Sequence, residues 1–210
     1  MSISLCAVIL AAGESTRMGR DKALLPWPPA KGGLASSATF LSASIDALSP
    51  FSELILVVSG RNHASLEATV FARSASLVTN PAPERGQFSS LQVGLREVLN
   101  RGRDAAIVTL VDRPPAAPET LQRLSTAFEL ARTRRQWAVV PEYAGKHGHP
   151  FIIGRELIEA FLRAPATSTA RDIEHQHLQH IEYVSVADPF VTMNVDTPED
   201  YADLSASPRN

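Results

Sequence analysis

The stretch Ser4–Lys22, SLCAVILAAGESTRMGRDK, decides how this chain is read. Its first part, Ser4 to Leu10, is an unbroken apolar run of the kind that forms a strand buried on both faces. At Ala11-Ala12-Gly13 the run gives way to small residues, and Ser15, Thr16, Arg17, Gly19 and Lys22 follow. Without bulky side chains, backbone at such a turn can come close to a ligand. Successive N–H groups there can cradle anionic oxygens. Arg17 adds a forked donor and Lys22 a point charge, a pairing that suits phosphate. The segment is therefore a candidate phosphate loop leaving a buried strand. It is not a Walker loop, because Gly19 is followed by Arg20-Asp21-Lys22 rather than Lys-Ser/Thr. It also lacks Gly-x-Gly-x-x-Gly, which disfavours a dinucleotide site of the usual kind.

The rest of the chain fits one moderate globular domain, residues 1–210, with 44% hydrophobic and 20% charged residues. A formal net charge of −2 argues against nucleic acid as a partner. No apolar run approaches the roughly 20 residues that cross a bilayer, so no membrane partner is expected. The N-terminus has no basic region ahead of its apolar run, which argues against a signal peptide. Cys6, the single cysteine, reads as a small core residue, and a reducing, cytoplasmic setting is expected.

Outward from the loop, apolar spacing predicts helices over Thr39–Leu48, Ala64–Ala72, Ser89–Leu99 and Pro118–Arg132. Further helices are expected near Glu156–Leu162 and Thr169–His177, with a short one after Pro198. Strands are expected at Glu53–Gly60, Ser76–Asn80, Ala105–Val111, Trp137–Pro141, Pro150–Ile153, Ile181–Val186 and Val191–Val195. Pro26-Trp27-Pro28-Pro29 and Gly32-Gly33 extend the loop toward Ser37. Continuous apolar strands alternating with helices predict an α/β fold: a Rossmann-like, mostly parallel sheet with helices on both faces. Residues 143–153 suggest an antiparallel addition. Ligands of open α/β sheets bind beyond the carboxyl ends of the strands. That rule gathers the Ala11–Lys22 loop, Asn80 and Asp112 at one edge.

With these exits assembled, the chain resembles the MobA-like nucleotidyltransferases. The resemblance rests first on Leu10-Ala11-Ala12-Gly13-x-Ser15-x-Arg17-Met18-Gly19-x-x-Lys22. Asn80-Pro81, then Gly86-x-x-Ser89-Ser90-Leu91-x-x-Gly94-Leu95, is similar to the family's second motif. Asp112-x-Pro114, Pro141-x-Tyr143-x-Gly145-x-x-Gly148-His149-Pro150 and Val195-Asp196-Thr197-Pro198-Glu199-Asp200 complete the match. Within the family the chain looks most like the molybdenum cofactor cytidylyltransferases, which couple CTP to molybdopterin phosphate and release pyrophosphate.

The resemblance implies a nucleotide-diphospho-sugar transferase-like fold and a division of labour among residues. Leu10, Ala11, Ala12, Gly13, Ser15, Asn80 and Ser90 would bind the nucleotide. Arg17 would hold the leaving β,γ-phosphates, and Lys22 would stabilise charge at the α-phosphate. Asp112 and Asp196 would hold Mg²⁺, whose chemistry favours hard carboxylate oxygens and bridging phosphates. Gly148, His149, Pro150 and Arg171 would face the acceptor, a phosphate-bearing small molecule. A molybdoenzyme receiving the finished cofactor is an implied partner. Where relatives often carry Asp-x-Gly-Ala-Arg, this chain has Thr167-Ser168-Thr169-Ala170-Arg171-Asp172, so the arginine persists without the glycine and acid before it.

Two other readings use the same residues. One keeps the chemistry and changes the acceptor to a sugar or polyol phosphate. The other is a non-catalytic nucleotide-binding maturation factor, against which the joint presence of Arg17, Lys22, Asp112 and Asp196 argues. Taken singly, Asp112 and Asp196 also read as helix caps. His175, His177 and His180 invite a zinc reading, but residues two apart on a helix point to different faces.

Overall fold

A computed structural model describes residues 4–29, 36–165 and 167–206. Gly32-Gly33, at the centre of the expected long loop, lies outside them. The strands are β1 (Cys6–Leu10), β2 (Leu54–Ser59), β3 (Ser76–Thr79), β4 (Ala105–Leu110), β5 (Ala138–Tyr143), β6 (Lys146–His147), β7 (Phe151–Gly154) and β8 (Ile181–Ser185). They form an eight-stranded sheet in the order β3-β2-β1-β4-β7-β5-β6, with β8 beside β5. β1 lies at its centre, parallel to both β2 and β4, with Val8 opposite Leu56 on one side and Val108 on the other. β3 continues the parallel half. The antiparallel addition is β7, which inserts between β4 and β5. The expected α/β architecture, mostly parallel with an antiparallel extension, is the one observed.

Alternation along β1 divides the core. Ala7 and Ile9 face the side covered by α1 (Phe40–Leu48), α2 (His63–Phe71) and α4 (Pro118–Thr133). Cys6, Val8 and Leu10 face α3 (Gln87–Asn100), α5 (Arg155–Arg163) and α6 (Ala170–Gln176). Both faces are sealed, which is why the parallel strands read as continuous apolar runs. Burying each leucine or isoleucine of these layers contributes about 1.5–3 kcal/mol. At Gly94, α3 comes so near the sheet that a Cβ there would sit 2.7 Å from Val8 Cγ1. Cys6 is fully enclosed, and burial pushes its thiol up to about 12; it is a packing residue.

Local chemistry sets the helix starts. Thr39 and Ser42 form a reciprocal capping box at α1, and Thr169 and Asp172 form one at α6. Pro118 occupies the first turn of α4, where its missing N–H costs nothing. A smaller third core joins Met18 and Leu25 of the loop region to Trp27, Phe40, Val195 and Leu204. Trp27 meets Phe40 and Phe190 edge-on, which anchors the described start of the Trp27–Ser37 loop to the C-terminal segment.

One expected strand is absent. Pro189–Thr192 is a turn of 3-10 helix, with Asp188 capping the N–H of Phe190, and Met193–Asp196 runs on in no ladder. The apolar run is real, but its backbone serves other partners. The Val191 carbonyl accepts from His149 N–H at 2.8 Å, and Val195 N–H donates to the Asp112 carbonyl at 2.9 Å. These two bonds carry the tail across the carboxyl ends of the strands. α7 (Pro198–Ala206) then closes the described chain.

Candidate active site

A cleft of about 1780 Å³ opens beyond the carboxyl ends of β1 and β4. One wall is the loop between β1 and Lys22. Ser15 takes a left-handed φ of 50°, uncommon for a non-glycine residue, and its hydroxyl accepts from Lys22 N–H at 3.1 Å. The loop is also held from beneath. Asn62 donates to the Ala11 carbonyl at 2.9 Å and to Asp21 Oδ2 at 2.8 Å, while Asp21 Oδ1 accepts from Ala23 N–H. Among the described residues, the backbone N–H groups from Ala12 through Arg17 donate to no protein acceptor. A pinned loop with a run of open N–H groups is suited to binding anionic oxygens. A Cβ added to Gly13 would meet nothing within 4 Å, so the space above this loop is free.

Three motif residues meet below that loop. The Lys22 ammonium, only 9% exposed, lies 2.6 Å from Asp196 Oδ1 and 3.5 Å from Asp112 Oδ2. Arg17 reaches the same Asp196 oxygen at 3.3 Å. The Lys22 hydrogen bond, with Arg17 nearby, holds the Asp196 carboxyl below the usual carboxylate range. Neither aspartate caps a helix. Thr197 and Asp200 supply the bonds at the start of α7, and Asp188 accepts from Ala117 N–H ahead of α4. Asp112 Oδ1 is enclosed yet has no hydrogen-bond partner. An orphaned carboxylate oxygen beside a second carboxylate fits a hard divalent cation completed by water and phosphate oxygens. Among the described residues no group of three or more His, Cys, Asp or Glu side chains forms a metal cage. This pair therefore suits a cation that arrives with its ligand.

The opposite wall is built on one carbonyl. Val191 O accepts from His149 N–H at 2.8 Å and from Arg113 Nη1 at 2.9 Å. A Cβ on Gly148 would fall 2.0 Å from that oxygen, so only glycine fits. His149 lines the cleft with its Nδ1 enclosed and unpartnered, and burial, aided by the Arg113 charge, lowers its pKa to about 3. The imidazole is neutral at physiological pH. Arg171 sits further along the same cleft, exposed, at the start of α6. Asp172, beside it, is occupied by its capping bonds to Thr169.

Most of the expected residues line this cleft: Leu10, Ala12, Gly13, Ser15, Arg17 and Lys22 from the end of β1 and its loop, with Ser90, Asp112, Asp196, Gly148, His149 and Arg171. Three do not. Ala11 is buried, and its N–H and carbonyl bond Val58 and Asn62. Asn80 is also buried, and its amide donates to Ser89 and Ser90 hydroxyls at 2.9 Å while its oxygen accepts from Ala82 N–H. It braces the wall from behind. Pro150 is buried and does not line the cleft. The histidines of the 175–180 segment part company: His177 and His180 pack on Trp137, and His175 faces the cleft. Sequence reasoning missed Asn62, Asp21 and Arg113. Only Arg113 left a signal, as the charged middle residue of Asp112-Arg113-Pro114.

The chain is similar in sequence and fold to known proteins. The model of the MobA-like NTP transferase domain matches residues 7–182. The purine catabolism protein PucB of Bacillus subtilis is 35% identical over 127 residues, which span 57% of this chain and 58% of that one. The molybdenum cofactor cytidylyltransferase of Escherichia coli is 24% identical over 197 residues, covering 92% of each chain. A probable molybdenum cofactor guanylyltransferase of Rhodopirellula baltica is 29% identical over 203 residues, 93% of this chain and 89% of that one. Rv0371c of Mycobacterium tuberculosis, solved as a complex with manganese, superposes with a TM-score of 0.75 at 26% identity, covering 98% of this chain and 100% of the other. By its sequence and its sheet, the chain belongs to the MobA-like NTP transferase family of nucleotidyltransferases.

Proposed function

We propose that residues 1–210 act as one cytidylyltransferase domain, moving CMP from CTP to a phosphate-bearing acceptor of the molybdopterin type and releasing pyrophosphate. The observation that supports this most is the meeting of Lys22, Asp112 and Asp196 under a loop of open N–H groups. The open N–H groups from Ala12 onward receive the triphosphate, and Arg17 binds its β,γ end. An acceptor phosphate oxygen attacks the α-phosphorus in line as the bond to the pyrophosphate oxygen breaks. Positioning and charge neutralisation dominate such a transfer. Lys22 stabilises the negative charge that grows on the α-phosphoryl oxygens. Asp112 and Asp196 hold Mg²⁺, which as a Lewis acid offsets phosphate charge. No general base is required, because the attacking group is already an anion.

The choice of CTP rests on Ala12. In the resembling guanylyltransferases glycine usually stands at this position; in this chain Ala12 lines the cleft, and its Cβ lies near Gly60. A molybdopterin-type acceptor is supported by the relatives over most of the chain length. Pyrophosphate release, measured with CTP or GTP, with each class of phosphate acceptor, and with or without Mg²⁺, tests the proposal. Turnover with CTP and a molybdopterin acceptor that stops without divalent cation is the expected result. Preference for a sugar phosphate would move the acceptor, and nucleotide binding without turnover would favour a maturation factor.

A further inference from the structure

Arg113 is a half-buried cation that forms no ion pair among the described residues. It follows Asp112 in the turn after β4, and its Nη1 is tied to the Val191 carbonyl at 2.9 Å. Its Nε is enclosed and makes no hydrogen bond. Among the described residues its guanidinium enters no ion pair, although Asp112 precedes it and Asp196 is near. Asp196 is held by Lys22 and Arg17, and Asp112 meets Lys22 through Oδ2 and makes no ion pair with Arg113. Burying a charged group without a partner is costly, and such groups persist where a ligand supplies the missing charge.

The position of Arg113 says which ligand. Val191 O, which fixes its guanidinium, also fixes His149 N–H and packs on Gly148. Arg113 thus shares its anchor with His149, and it lines the same cleft as Asp112, Gly148 and His149. The triphosphate already has Arg17, Lys22 and the open N–H groups on the loop side. A second anion in the same cleft finds Arg113, with the exposed Arg171 further along, outside that loop-side set. A planar guanidinium held at one nitrogen keeps further donors for bidentate recognition of phosphate.

We propose that Arg113 is the ligand for the acceptor's phosphate, a phosphate monoester dianion, and fixes it for attack between Asp112 and His149. This deepens the function proposed above and rests on it. The test uses the full chain, Arg113→Gln and Arg113→Lys, with phenyl phosphate as probe and Mg²⁺ with α,β-methylene-CTP present to fill the nucleotide side. Nitrogen NMR reads the Arg113 Nε resonance, assigned by its loss in Arg113→Lys, and titration reads both affinities. In the wild-type chain, phenyl phosphate should shift that resonance. Arg113→Gln should weaken phenyl phosphate binding by about tenfold or more, the scale of one charge-assisted hydrogen-bonded contact. Arg113→Lys should recover part of it, and nucleotide affinity should stay within about twofold in all three.

An unmoved resonance with unchanged phenyl phosphate affinity overturns the proposal. So does a loss that falls on the nucleotide instead. If Arg113→Gln does not fold, the wild-type resonance and Arg113→Lys decide. If the wild-type chain binds no nucleotide at all, the transferase function fails by itself, and phenyl phosphate titrated alone still reads Arg113.

Discussion

Lys22 Nζ lies 2.6 Å from Asp196 Oδ1, joining residues 174 positions apart in the chain. The ammonium lies between the two carboxylates proposed to hold the divalent cation, so on that proposal cation and lysine would compete for them. A cation bound there would release Lys22 toward the α-phosphate. Lys22→Ala should therefore do two opposite things. Turnover should fall by roughly 10²–10³, mostly in kcat, since the charge it stabilises grows in the transition state. Mn²⁺ binding to the nucleotide-free chain should tighten, since the competitor is gone. Arg17→Ala should instead raise the CTP KM, because charge on the β,γ-phosphates is present throughout. The reverse kinetic pattern would exchange the two roles.

Asp112→Asn and Asp196→Asn should each remove most Mg²⁺-dependent turnover while the protein stays folded. Asparagine keeps the shape and loses the anionic ligand. Groups serving one ion act as a unit, so the double variant should be little worse than either single one. Independent, multiplying losses, measured as kcat/KM across the cycle, would show that the two do not share an ion.

Two glycines make a controlled contrast. At Gly13 a Cβ meets open space, whereas at Gly148 it falls 2.0 Å from the Val191 carbonyl. Gly13→Ala should leave the thermal midpoint unchanged and weaken triphosphate binding, since the methyl would stand where phosphate oxygens approach the loop. Gly148→Ala should destabilise by about 1–3 kcal/mol or more, as overpacking against backbone does. Calorimetry and nucleotide titration on the same two proteins separate the effects.

The proposed base preference rests on Ala12. CTP should be used at least about tenfold better than GTP, a difference of about 1.4 kcal/mol, within what one methyl supplies in a tight pocket. Ala12→Gly should narrow the ratio by raising kcat/KM for GTP. Equal values for the two nucleotides in the wild-type chain would refute this role.

Most of this site could be seen in the sequence because its residues leave strand ends. Continuous apolar runs mark β1 and β4, and the polar residues just past them, Ala12–Lys22 and Asp112, must lie at one edge of a parallel sheet. The region Val191–Val195 misled for the same reason: it is apolar and β-branched. Its strand potential loses to Asp188 and Pro189, which turn the chain, and to His149, Arg113 and Asp112, which use its backbone groups. Asn62 and Asp21, 41 positions apart, hold the loop through a bond that no local pattern announces. The resemblance implies a nucleotide-binding role for Asn80, yet its side chain is buried and its three side-chain hydrogen bonds go to Ser89, Ser90 and Ala82. Burial decided its role, and burial of a polar residue is what sequence shows least.

His149 gives the fold a pH dependence with a definite sign. In the folded protein its pKa is about 3, against 6.5 ordinarily, because the ring is buried and Arg113 repels a second positive charge. Between those values the unfolded chain takes up a proton on this residue and the folded chain does not. Stability then rises with pH across the window. The contribution is complete above about 6.5 and is lost as pH falls toward 3. At one proton the slope cannot exceed about 1.4 kcal/mol per pH unit, which amounts to about 2 kcal/mol at pH 5. Asp196 and Asp200 are held below their ordinary 3.8, so their own effect appears at lower pH. Denaturant titrations between pH 5 and 6.5 should show the slope in the wild-type chain and a flatter line in His149→Gln. Parallel lines for the two would mean that His149 accepts a proton in the folded state, and the neutral imidazole assigned to the acceptor wall would be wrong.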